Sequence, residues 1–414
     1  MKKYILIILC CLTSFPLWSY NVNMIVEHYS VDQGLPNNTV NCTLKDRDGF
    51  IWFGTWYGLC CFDGVKFKTF NKQEHDSDVP PRKIQRIVED KNGYIWVKTI
   101  DRKLYVFNKV TECFHAVYDD MKNYSENIQV IKLQNTAEGD VLLLTKDKNL
   151  LLAGVDEKGQ VTIKILFDSR NEINKHDYTL KHHVLCETEE YISWIGTDYK
   201  VAAVHKGSEL ASRPADFITS KINSGDKDSF TSFFEDGRKV WVGDRAGIFY
   251  SIDVRTGLVN RYVLSEIKGA ISNLLVTPAG YVYLSVAGQG TYEYDLAERR
   301  LQKINTEMND AMVTHAFIDQ YDKIWFHENE KALIYYDPLN HTAKRFPFTM
   351  FGKITTLYSE DAGERGLFFL SPAGEAWLFD REHAEMVYIN KLKQLSNDRT
   401  NQQFYHLMLD NDGV

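Results

Sequence analysis

Four histidines, His182, His183, His315 and His327, are the side chains best suited to proton transfer in this sequence of 414 residues. A saccharide lyase or a lactonase would use such a histidine, with Tyr or Arg beside it, and is the enzyme class to weigh. The motifs that would make one of them catalytic are missing. There is no H-E-x-x-H, no G-x-S-x-G and no G-x-x-x-x-G-K. Gly288-Gln289-Gly290 opens like a dinucleotide-binding loop, but Glu293 stands where the third glycine is due, so it reads as a hairpin turn. Asp46-x-Asp48-Gly49 opens like a calcium loop, yet Tyr57 occupies the position that needs a bidentate glutamate. It too reads as a turn. The expectation is no catalytic residue, no metal and no cofactor in this chain.

Any function must then come from side chains that a scaffold gathers on one surface, and the scaffold is a repeat. Asp46–Asp63 reads DRDGFIWFGTWYGLCCFD and 90–108 reads DKNGYIWVKTIDRKLYVFN. Each has a turn of the D-x-D/N-G kind, then aromatic-Ile-Trp on alternating faces, a short polar turn, and a second apolar run ending in Phe-Asp or Phe-Asn. Looser copies begin at Glu138, Glu189, Glu235, Pro278, Asp319 and Ala362. The residues in register with the first Trp are Trp52, Trp96, Leu142, Trp194, Trp241, Tyr283, Trp325 and Phe368, an average spacing of about 45 residues. Period-2 alternation and tight turns at that spacing indicate the blades of a β-propeller and exclude a solenoid of helix pairs.

Composition agrees with an all-β protein. The sequence is 44% hydrophobic and 13% aromatic with only 9 Pro, and bulky rings pack well on pleated sheets. With 48 Lys and Arg against 56 Asp and Glu, nothing recruits phosphate backbones, and a nucleic-acid partner is not expected. Met1-Lys2-Lys3 followed by an apolar stretch to Leu17 reads as a secretory signal too short to span a bilayer. Five cysteines remain after it, Cys42, Cys60, Cys61, Cys113 and Cys186. An odd count without metal spacing implies free, buried thiols rather than a disulfide framework.

Seven copies, Trp52 to Trp325, make one ring. The expected organisation is a signal peptide at 1–22, a seven-bladed β-propeller at 23–340, and the beginning of a second propeller at 341–414. Val65–Phe70 alternates as an outer strand, and Ile25–Ser30 aligns with it; as an orphan it would complete the last blade and close the ring. Leu407–Val414 repeats an apolar run and turn where a ninth Trp would follow, which is expected of a fragment of a longer protein.

In such a blade the turn between the second and third strands emerges on the same face as the loop entering the next blade. That face collects Trp56, Tyr57, Asp101, Arg102, Tyr199, Asp244, Arg245, Gln289 and Glu328. Aromatic rings beside amides, carboxylates and guanidinium groups suit sugars, whose C–H faces stack and whose hydroxyls hydrogen-bond. Trp56 is the first choice among them, as a large aromatic at an exposed turn.

The run GLPNNTVNCTLKDRDGFIWFGTWYGLCCFDG, Gly34 to Gly64, closely resembles the two-component regulator propeller repeat in its Gly-Leu-Pro opening, D-x-D-G-x-I-W-x-G-T core and Gly-Leu-x-x-Phe-Asp-Gly ending. Lys98 and His327 depart from it by replacing a glycine, and the third copy lacks its Trp. The resemblance implies the periplasmic sensor region of a hybrid two-component regulator that recognises an oligosaccharide and signals to a histidine kinase absent from these residues. It implies as partners an adjoining second propeller and a second copy in a homodimer. A free-standing protein-docking propeller is the third class.

Overall fold

The structure is a computed structural model that describes residues 29–70, 72–73, 80–124, 128–170, 180–196, 201–207, 215–216, 230–304, 313–351, 357–361, 363 and 366–391. The expected leader, Tyr199 and the stretch from 407 lie outside the described residues, as do residues 25–28 of the N-terminal segment.

Alternation along the chain becomes eight antiparallel meanders, each a sheet of four strands in sequence order, spanning 40–70, 84–116, 130–167, 180–216, 230–263, 271–303, 313–347 and 358–391. The second sheet gains a fifth strand, Lys72–Gln73, parallel to Cys113–Ala116. In the first sheet the strands are Val40–Lys45, Ile51–Thr55, Gly58–Phe62 and Phe67–Phe70. The seventh sheet takes Thr342–Pro347 as its fourth strand, so a boundary at 340 falls inside a sheet. Tyr29 packs its ring on Phe62 and Phe67 of the first sheet.

Each D-x-D-G turn is a small machine for placing the Trp. One Asp46 oxygen accepts from the amides of Asp48 and Phe50, and the other accepts from Trp52 Nε1 at 2.7 Å. Gly49 takes φ 90°, which the turn needs and which side chains avoid. Asp90 with Trp96, Asp236 with Trp241 and Asp319 with Trp325 repeat the bond. Where the register residue has no indole, as at Leu142 and Tyr283, the aspartate is replaced by Thr136 and Thr277, whose hydroxyls accept the turn amide alone. A buried carboxylate without the indole donor would be left short of a partner, and a hydroxyl costs less to bury. Two copies depart from this: Trp194 has Thr188 at that place, and Phe368 follows a turn that keeps Asp361.

The core lies between sheets. Seven apolar clusters join the first sheet to the second, the second to the third, and so on to the eighth. Trp96, Trp194, Trp241 and Trp325 are the largest wholly buried side chains in them, and truncating one would cost about 3–5 kcal/mol. The eighth sheet stacks on the seventh in the same manner, with Phe379 set edge-on to Trp325 at 4.6 Å.

Glycine two residues after the register Trp serves this stacking. A Cβ on Gly54 would sit 2.6 Å from Ile84 of the next sheet, and one on Gly243 2.7 Å from Ile271. Lys98 and His327 stand there instead by turning their polar ends to partners: Lys98 Nζ donates to Gln85 and to the Ile131 carbonyl, and His327 Nδ1 meets the Thr314 hydroxyl.

Candidate ligand-binding face

The two ends of the sheets differ in how their charges are used. At the end bearing the D-x-D-G turns, the first residue after the third strand reaches back to the preceding sheet. Lys109 Nζ lies 2.9 Å from Asp46, 2.9 Å from Asp48 and 2.7 Å from Glu89. Lys206 joins Glu138 to Glu187, and Arg381 joins Asp319 to Asp361. Those three carboxylates around Lys109 are close enough together to suggest a cation site, but the ammonium already supplies the charge. These three cations hold neighbouring sheets together. A cavity of about 360 Å³ here is lined by Glu190 and Arg255, which face each other at 3.8 Å.

The opposite end carries the hairpin tips between second and third strands. Thr55 Oγ1 donates to the Gly58 carbonyl and closes the first tip, leaving Trp56 41% and Tyr57 65% exposed. The loop entering the second sheet runs alongside: the Lys83 amide donates to the Trp56 carbonyl at 2.9 Å, and its ammonium lies 5.3 Å from the indole. The next tip continues the line, since the Ile100 amide donates to the Lys83 carbonyl and the Val130 amide to the Arg102 carbonyl. Asp101, Arg102 and Lys103 are exposed there. Burial alone would raise the Asp101 carboxyl, but the Thr99 hydroxyl and Lys103 bring it below the ordinary value.

Two hollows flank this second tip. One, about 330 Å³, is lined by Arg82, Lys83, Ile100, Asp101 and Lys103. The other, about 380 Å³, lies between the tip and the short helix Tyr118–Met121 and is lined by Arg102, Tyr118 and Gln129 among others. Each is of a size that holds one or two sugar rings.

The structure brings Trp56, Tyr57, Asp101 and Arg102 together on one surface, whereas Asp244, Glu328 and Gln289 of the expected set are taken up by other contacts. Asp244 is wholly buried, one oxygen accepting from the amides of Ala246 and Ile248. Glu328 is also buried and is held by Arg345 at 3.0 Å. Gln289 uses both ends of its amide on the Glu266–Lys268 loop. Asp244 thus shapes its own hairpin, while Glu328 is engaged by the fourth strand and Gln289 by the entry loop. Arg245 is exposed on the fifth tip, away from the two hollows. Of the candidate histidines, His315 is exposed, and His327 packs on Phe348 with its pKa lowered by burial and by His315. Arg82, Lys83, Lys103 and Tyr118 were not among the sequence candidates. The entry loop was expected on this face, and its basic residues were the signal.

The five cysteines are free. Burial pushes the Cys42, Cys60, Cys61 and Cys186 thiols up to about 12, so none is a nucleophile near neutrality. Among the described residues no helix is long and apolar enough to cross a membrane.

Residues 34–57 match the family model of the two-component regulator propeller. No curated protein sequence matches the chain significantly. Among solved structures, the fold is similar to the Dos1 propeller, 14% identical with TM-score 0.51, covering 80% of this chain and 90% of that one. Extracellular domains of two hybrid two-component systems from B. thetaiotaomicron align at 16% and 14% identity, both with TM-score 0.38. They cover 90% and 93% of this chain, which spans only 49% and 64% of theirs. The chain therefore has a propeller-type fold of eight antiparallel sheets, and its residues 34–57 match the two-component regulator propeller repeat.

Proposed function

We propose that the chain is the extracytoplasmic ligand-sensing propeller of a hybrid two-component regulator, and that it recognises an oligosaccharide on the face bearing Trp56. The observation that carries the reading is the continuous line of tips and entry loops from Trp56 to Gln129, where the exposed Tyr118 lines one hollow of sugar size and Trp56 stands beside Lys83, which lines the other. Aromatic faces stack on sugar C–H surfaces, and the polar rim supplies donors.

The chain binds and does no chemistry; the kinase that reads the signal belongs to the longer parent, exported and anchored beyond these residues. An adjoining propeller and a second copy of the parent are the surfaces through which binding is transmitted. The ligand must favour one packing of these parts, since equal affinity for both arrangements shifts nothing. The test compares wild type with Trp56→Ala by calorimetry on the sensor region and by a transcriptional reporter in cells. A large loss of affinity and of signalling is expected. Unchanged affinity and signalling with an oligosaccharide that activates the wild type would refute the reading.

A further inference from the structure

We propose that this face takes an anionic saccharide, one carrying carboxylate or sulfate groups, and that Arg82, Arg102 and Lys103 hold its charge. The inference rests on the sugar reading above and adds the charge class. The tips of the second and third sheets and the loop before the second carry Arg82, Lys83, Arg102, Lys103, Lys146 and Lys148 against two acids, Asp101 and Asp147. Each acid accepts a hydrogen bond from the threonine at its own tip, Thr99 and Thr145. A local excess of cations is notable in a chain whose total charge is −8.

Those cations are placed for use. On the opposite end Lys109, Lys206 and Arg381 each bind two or more carboxylates, whereas Arg82 and Arg102 form no ion pair among the described residues and Lys103 meets only Asp101 of its own tip, at 3.5 Å. Arg82 and Lys103 line the first hollow and Arg102 and Lys103 the second, so both are cationic and share a wall. Behind them Lys98 has its pKa lowered by burial and by the charges of Arg102 and Arg86, as a positive field requires. A guanidinium fork matches a carboxylate or sulfate edge with two parallel hydrogen bonds.

The experiment is calorimetry on the exported chain with four probes: trigalacturonate, its carboxyl-reduced neutral counterpart, a sulfated disaccharide from heparin, and its desulfated form. Expected is binding to the carboxylate or the sulfate probe at least tenfold tighter than to its neutral or desulfated partner, weakening as NaCl rises from 50 to 300 mM. The two arms identify which anion is read. Arg82→Gln with Lys103→Gln, both exposed positions, should lower that affinity at least tenfold without moving the melting temperature. Neutral probes bound as tightly as charged ones, or a double variant that binds like wild type, overturns the charge class and leaves the sugar reading standing. No binding by these probes, nor by a broad array of neutral and acidic oligosaccharides, overturns both.

Discussion

Replacing Lys109 by methionine isolates what the inter-sheet clasp contributes. Methionine keeps most of the stem and removes the charge that joins Asp46 and Asp48 of the first sheet to Glu89 of the second. The Asp46 side chain has no exposure, Glu89 has 10% and Lys109 has 18%. Without the ammonium, three carboxylates lie within 4.8 Å of one another, and Asp46 keeps only its indole and amide donors. Removing one partner of a fully buried ion pair costs about 3–5 kcal/mol. Partial exposure of the lysine and of Asp48 reduces the figure here to about 2 kcal/mol.

Lys68–Glu112 joins the same two sheets but is exposed at 55% and 42%, so Lys68→Met should change stability by less than about 0.5 kcal/mol. Urea titration and thermal melting of both variants against wild type is the assay. The clasp variant should melt about 2 °C lower, and the surface variant within about 0.5 °C. Equal effects from the two substitutions would refute the argument that burial and shared carboxylates give Lys109 its role.

Three other outcomes follow from the same geometry. Gly54→Ala should destabilise by about 1–3 kcal/mol, measured by urea unfolding, because the new Cβ would sit 2.5 Å from Cys42 Sγ and 2.6 Å from Ile84. Burial, then the charge of Glu187, raises the Glu235 carboxyl from 4.5 to about 7. The folded chain therefore holds a proton that the unfolded chain has released, and stability falls as pH rises between those values. Glu235→Gln should flatten that part of the stability profile and be the more stable form at pH 8. Native protein at pH 8 should leave Cys42, Cys60 and Cys186 unreacted with a thiol reagent over the time in which urea-unfolded chain reacts fully.

The repeat was legible because a blade is a local object. All eight register residues, from Trp52 to Phe368, take equivalent positions in the second strands of their sheets. Trp56 and Tyr57 were legible as exposed for the same reason, since a two-residue tip leaves side chains nowhere to hide. Asp244 and Glu328 were misjudged because the sequence position of a tip does not say whether its first residue turns inward to cap its own hairpin, as Asp244 does, or meets a cation from the fourth strand, as Glu328 meets Arg345. Arg82 was missed because the entry loop sits beside the next tip only through pairing of Lys83 with Trp56 and Ile100, contacts between residues far apart in sequence. The exchange of Asp for Thr opposite Leu142 and Tyr283 was present in the sequence, but its reason appears only once the indole donor is seen.

Hydrogen exchange on the purified chain, with and without an activating oligosaccharide, tests the central claim most directly. Recognition at the tip face predicts slowed exchange at the amides of Trp56, Lys83, Ile100, Arg102 and Val130, whose backbone bonds line that surface. Exchange around the Lys109, Lys206 and Arg381 clasps should stay unchanged. Protection confined to the D-x-D-G turns, with the tips unaffected, would contradict the account.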